Sequence, residues 1–201
     1  ESVLLTSLLE AADRVDSTTG LQMAYLKSWA PRALRPLELR LPRLLPRAEA
    51  GKGLAINLDA LAAAQQWGPR ADIAYIDPPY NQHSYLGNYH IWESLVRWDF
   101  PPVYGRACKR EDVRTRTSPF NSRRTCLAAL RDLVDALPTP HLIVSFNNEG
   151  FISREQMEEL LSSRGNLRVV ELDHKRYVGA QIGIYNPRGE RVGQVSHVRN
   201  K

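Results

Sequence analysis

The sequence predicts an α/β fold built on parallel strands, and three observations carry that expectation. Ile73-Ala74-Tyr75-Ile76 and His141-Leu142-Ile143-Val144-Ser145-Phe146 are short apolar runs rich in β-branched and aromatic residues. Each stops abruptly, the first in two prolines and the second in a polar cluster closed by Gly150. Between them, residues 125–137 read as a helix, the connection that a parallel pair requires. Such a crossover is right-handed, so the carboxyl ends of both strands should meet at one edge of the sheet. At 201 residues the chain is one domain, or one domain with an insertion, and long enough to bury a core. No run approaches the ~18 apolar residues of a membrane span. No signal-peptide pattern appears, and Cys108 and Cys126 lack metal-ligand spacing, which fits a cytoplasmic protein with reduced thiols.

The other elements follow in chain order. Residues 2–15 place Val3, Leu4, Leu8, Ala11, Ala12 and Val15 at helical spacing. Residues 21–29 read as a second short helix whose Met23, Tyr25 and Leu26 belong to a core. Pro31, Pro36, Pro42 and Pro46 then punctuate an arginine-rich connector, in which Leu37-Glu38-Leu39-Arg40-Leu41 alternates like an edge strand. Residues 53–59 read as a short strand and 60–67 as a helix, with Asp59 at the junction as its N-cap. Farther on, residues 153–163 carry a capping box in Ser153 and Gln156. A third strand is expected at 167–172. A hairpin should join 181–185 to 192–198 through Asn186-Pro187-Arg188-Gly189.

The chemistry concentrates at the end of the first apolar run. Pro78 and Pro79 hold φ near −65° and cannot donate to a ladder, so the chain leaves the sheet in a rigid extended turn. In open α/β sheets, ligands bind outside the carboxyl ends of strands. There the turn sets the Asp77 carboxylate, the Pro78 carbonyl and the Tyr80 ring side by side. A planar exocyclic amine on a heteroaromatic ring is a poor nucleophile, because its lone pair is delocalised. Two acceptors taking its two hydrogens favour a pyramidal nitrogen whose lone pair points at an electrophile, while Tyr80 stacks on the ring. A strand followed by a Pro-rich turn, with Asp77 as a cap, accounts for the same residues without chemistry.

Asp77-Pro78-Pro79-Tyr80 resembles the catalytic motif of amino-methyltransferases that use S-adenosylmethionine, especially Dam-like N6-adenine-specific DNA methyltransferases. Asn88-Tyr89-His90 with Glu93, and Ser145-Phe146-Asn147-Asn148-Glu149-Gly150, are similar to runs in one branch of that family. The resemblance implies a class I S-adenosylmethionine-dependent methyltransferase (Rossmann-like) sheet with helices on both faces. It implies S-adenosylmethionine without a metal, touched by Asp77 and, at its adenine end, by Asp59. It also implies double-stranded DNA as partner, a flipped adenine as substrate and, by family habit, a cognate restriction endonuclease. Asn81, His83, Tyr85, Asn88 and Tyr89 would offer the extruded base stacking faces and hydrogen bonds. Asn147 and Asn148 would shape its pocket, and Lys175 and Arg176 would meet phosphates. The bland reading of Gly150 is a turn position needing positive φ. On this view residues 1–50 are a connector or target-recognition segment, and 51–201 the catalytic core with a basic loop at 105–124.

That loop holds seven basic side chains against Glu111 and Asp112, so it accounts for the whole net charge of +5. A concentrated basic segment suits a polyanion, and Arg110, Arg114 and Arg116 are its candidate phosphate contacts. Free of DNA the loop is expected to be disordered; a solvated, mobile loop without a polyanion partner is the alternative reading of its charge. One family feature is missing. The Gly-rich cofactor loop has no counterpart, since Gly51-Lys52-Gly53 follows no strand, and the chain starts at Glu1 without a Met. The expectation is therefore an N-terminally incomplete fold, similar to the family over residues 10–200. Two other readings stay open: an RNA or protein amino-methyltransferase, and a catalytically inactive nucleic-acid-binding module.

Overall fold

The computed structural model describes residues 1–22, 26 and 28–172, with the backbone of 184–185 and 191–193. In chain order the elements are α1 (Ser2–Arg14), α2 (Ala60–Trp67), β1 (Ile73–Ile76), α3 (Tyr85–Asn88), α4 (His90–Arg97), β2 (Val103–Tyr104), β3 (Lys109–Arg110), α5 (Cys126–Asp135), β4 (His141–Val144), α6 (Arg154–Ser162), β5 (Ile184–Tyr185) and β6 (Arg191–Gly193). They fall into two compact units. One comprises Glu1–Asn57 and Tyr85–Arg116, the other Leu58–Ser84 and the described residues from Thr117 on.

The second unit is mixed α/β around a small parallel sheet. β1 and β4 run parallel, with Ile73 opposite His141 and Ile76 opposite Val144. The Ser145 amide extends the ladder by donating to the Ile76 carbonyl at 2.9 Å. Apolar spacing on α5 buries Cys126, Leu130, Leu133 and Val134, which join Ala64 of α2, Ile76, Phe120, Leu137, Ile152 and Leu160 in one core. Each large aliphatic side chain buried there contributes about 1.5–3 kcal/mol, which holds the crossover helix on the sheet. The helix starts are set by capping. The Asp59 side chain accepts from the Leu61 and Ala62 amides at the start of α2, and Ser153 with Gln156 forms a full capping box on α6.

The first unit is organised by buried polar groups. Ala11 and Ser7 of α1 are buried, and the Ser7 hydroxyl donates to the Arg40 carbonyl at 2.7 Å, tying the helix to the connector. Gln22 caps α4, its side-chain oxygen accepting from the Ile91 amide at 2.8 Å and the Trp92 amide at 3.4 Å. Its own amide donates to the Asn88 carbonyl at 2.7 Å. β2 and β3 form a short antiparallel hairpin with Val103 opposite Arg110.

Several sequence expectations are corrected here. Residues 37–41, 53–59 and 167–172 form no strand, and most of their apolar side chains are exposed. A strand exists only where a neighbour takes its backbone groups, and none of these runs has a ladder partner among the described residues. Among the described residues the parallel sheet pairs two strands, β1 with β4. The basic segment is ordered: it holds β3 and the 3-10 turns Glu111–Arg114 and Pro119–Asn121, because Arg110 is internally neutralised. The helix expected at 21–29 lies largely outside the described residues. Of the C-terminal hairpin, β5 and β6 are described and pair antiparallel, Ile184 opposite Gly193, and the rest lies outside. No described helix is long and apolar enough to cross a membrane.

Candidate active site

The parallel register of β1 and β4 brings two polar turns to one sheet edge. Asp77 follows β1 directly and is exposed, whereas Pro78 is buried and Pro79 and Tyr80 are half-buried. The prolines thus anchor the turn in the protein and leave the carboxylate at the rim. Tyr80 is held twice by the segment after β4. Its carbonyl accepts the Phe151 amide at 2.8 Å, and its ring meets Phe146 edge-on, with centroids 6.2 Å apart and planes at 70°.

That second turn is wound tightly. The Asn147 side-chain oxygen accepts the Glu149 amide at 2.7 Å, and its carbonyl accepts the Gly150 amide at 2.9 Å. Gly150 is required for close approach. A Cβ there would stand 2.4 Å from Phe146 Cε1 and 3.0 Å from the Asn147 oxygen, while its φ lies outside the left-handed region. The positive-φ reading of this glycine is therefore wrong, and its missing side chain is what lets Phe146 support Tyr80. Asn148 is exposed beside it.

Sequence reasoning missed Asn121. Its amide nitrogen donates to the Asn81 carbonyl at 2.8 Å and the His83 carbonyl at 3.2 Å, fixing the chain just beyond Tyr80. The Asn81 side chain accepts the His83 amide at 3.0 Å and stiffens the same stretch. A signal was present in Ser118-Pro119-Phe120-Asn121, where Ser118 accepts the Phe120 amide and Pro119 starts the 3-10 turn.

A groove of about 310 Å³ lies on the same unit, lined by Asp59, Leu61, Pro119, Phe120, Ala129 and Leu133 among others. One Asp59 oxygen serves as the helix cap, and the other has no hydrogen-bond partner among the described residues. A carboxylate oxygen at the lip of an apolar groove fits an amine-bearing aromatic ring, as at the nucleoside end of S-adenosylmethionine. Nothing described cradles an amino-acid end. Asp77 does not line this groove. Among the described residues no cluster of three His, Cys, Asp or Glu could hold a metal ion.

The remaining described candidates belong to the first unit. Tyr85 and Tyr89 stack with centroids 6.2 Å apart and planes at 17°, and the Asn88 carbonyl takes the Gln22 amide. His90 is buried with Nε2 3.2 Å from the Gln22 carbonyl. Burial, together with nearby Lys109 and Arg110, depresses its pKa below the ordinary 6.5. Arg110 is only 2% exposed. Its guanidinium grips Asp99 at 2.7 and 2.8 Å and Asp112 at 3.0 Å through two nitrogens. That holds both carboxyls below the usual range and leaves Arg110 no free face for a phosphate. Arg116 pairs with Glu93 at 2.8 Å, while Arg114 is exposed and stacks 3.9 Å above the Tyr104 ring. Lys175 and Arg176 lie outside the described residues.

A carboxylate on a rigid turn at the carboxyl edge of a parallel pair is the arrangement of a ligand-binding α/β protein. Comparison with known sequences then names the family: the chain belongs to the D12 class N6 adenine-specific DNA methyltransferases, whose pattern matches residues 2–160. It is 36% identical over 182 residues to Modification methylase StsI of Streptococcus sanguinis, covering 89% of this chain and 27% of that protein. Against Type II methyltransferase M.FokI of Planomicrobium okeanokoites the identity is 32% over 177 residues, covering 87% and 27%. Against Type II methyltransferase M.NlaIII of Neisseria lactamica it is 28% over 198 residues, covering 98% and 57%. The chain thus spans about a quarter of the first two relatives and just over half of the third. No solved structure matches.

Proposed function

We propose that the chain carries the catalytic turn of a DNA methyltransferase that methylates the exocyclic amine of an adenine flipped out of double-stranded DNA. The observation that carries this reading is the shared sheet edge. There Asp77 to Tyr80 and Asn147 to Gly150 are tied together through the Phe151 amide and the Phe146–Tyr80 ring contact. Bound S-adenosylmethionine supplies an electrophilic methyl group. The Asp77 carboxylate and the Pro78 carbonyl accept the two amine hydrogens and turn the nitrogen lone pair outward. Tyr80, steadied by Phe146, stacks on the adenine ring, so positioning and fixed acceptors provide the catalysis.

Asn81, His83, Asn147 and Asn148 are proposed to read the edge of the flipped base, with Tyr85, Asn88 and Tyr89 as further contacts. Asp59 would receive the adenine amine of the cofactor within the groove it lines. A class I methyltransferase sheet with helices on both faces is the fold that this family reading supports. The three relatives named above are a modification methylase and two type II methyltransferases, which favours a role in restriction–modification beside a cognate endonuclease. The test is methyl transfer from labelled S-adenosylmethionine by the full-length gene product, offered unmethylated duplex DNA, RNA and protein in parallel. Label on adenine N6 of the duplex alone is expected. Label on RNA or protein instead would replace the substrate class.

A further inference from the structure

Two aromatic residues in the first unit adopt a backbone that bulky side chains avoid. Trp98 has φ +51° and Phe100 has φ +44°, both in the left-handed region. Their rings meet edge-on, with centroids 5.2 Å apart and planes at 72°, and are 66% and 78% exposed. Strain of this kind persists only where the surroundings over-determine it. Here Asp99, between the two residues in sequence, is held bidentately by the buried Arg110 at 2.7 and 2.8 Å. Arg110 is fixed in turn by Asp112 and by the Ser94 hydroxyl at 3.1 Å, and Arg97 adds a contact to Asp99 at 3.0 Å. A charge network centred on the buried Arg110 therefore presents an aromatic pair to solvent.

The surroundings of the pair say what it meets. Residues 97–116 carry six basic side chains against three acidic ones, and Asp99 and Asp112 are already engaged by arginines. The β2–β3 hairpin that supplies Arg110 also carries Lys109 and, at its turn, Arg106, which has no carboxylate partner among the described residues. Aromatic faces among cations suit nucleic acid, whose bases stack on the rings while its phosphates take the charges. We propose that Trp98 and Phe100 form a wedge that enters the base stack of duplex DNA, while Arg106, Lys109 and Arg114 hold the adjoining phosphates. The proposal rests on the chain acting on DNA, as above, and assigns the residues that open the duplex.

A wedge gains most where the stack is already weak, so mismatched duplex should bind more tightly than matched duplex. The experiment titrates labelled duplexes, matched and carrying one mismatch, against the full chain at several salt concentrations. It uses the parent, Trp98→Ala/Phe100→Ala, and Trp98→Phe/Phe100→Tyr. The alanine pair should lose about tenfold or more in affinity for the mismatched duplex, and with it the mismatch preference, at an unchanged salt slope. The aromatic pair should keep both. Should the double alanine chain fail to fold, Phe100→Ala alone serves, its ring being 78% exposed. A mismatch preference unaltered by the alanines overturns the wedge while leaving the functional reading intact. So does loss of self-association in the alanine variant with DNA binding unchanged, which would assign the rings to a second copy. A parent chain that binds no duplex overturns both.

Discussion

Arg110 and Arg114 stand four positions apart in one basic segment yet face different environments. Arg110 is buried between two carboxylates, while Arg114 is exposed on the Tyr104 ring. Arg110→Ala removes the cation shared by Asp99 and Asp112 and should destabilise the first unit. A urea midpoint reads this directly. Arg114→Ala should leave the midpoint alone and lower the slope of log affinity for DNA against log salt by about 0.9, one phosphate contact. His90 adds a pH dependence. Its folded pKa is depressed, so the unfolded chain binds the proton more readily below 6.5. The stability that the neutral ring contributes is complete above 6.5 and is lost as pH falls through the folded value. Thermal melts of the parent and His90→Gln from pH 7.5 to 5 should converge toward the acid end. Curves that stay parallel would remove His90 from the account.

At the scale of elements, the legible parts were those whose cause is local. α2 and α6 announce themselves through Asp59 and through Ser153 with Gln156, and β1 and β4 through β-branched runs cut off by Pro78 and by Asn147. The Asp77 turn could be placed for the same reason. Residues 53–59 and 167–172 have the right composition for strands, but strand formation depends on a neighbour that composition does not disclose. Arg110 was misjudged similarly, since nothing local shows that Asp99, eleven positions away, returns to meet it. Asn121 is the counterpart in the site, because its two carbonyl partners lie 40 and 38 residues earlier. Gly150 gives the sharpest element-level test. Gly150→Ala forces Phe146 aside and with it the edge contact to Tyr80, an overpacking that should cost about 1–3 kcal/mol. Methyl transfer should fall more than DNA binding. A variant with parental melting temperature and turnover would contradict the close-packing argument.

For the whole molecule, the two units hold different groups. The second unit owns the apolar core and the carboxylate turn; the first owns the buried Arg110 network, the exposed aromatic pair and most of the basic segment. A chain arranged in this way predicts that affinity and chemistry can be lost separately. Charge changes in the first unit should move the salt dependence, and changes at the sheet edge should move turnover. The measurement that tests the central claim most directly compares the full-length protein with its Asp77→Asn variant. Labelled methyl transfer to adenine N6 of duplex DNA and duplex affinity are read on the same samples. The asparagine should lower turnover by about a hundredfold or more, as expected for removing one preorganised group, with affinity kept within about threefold. Undiminished turnover in Asp77→Asn would contradict the assignment of this turn as the catalytic centre.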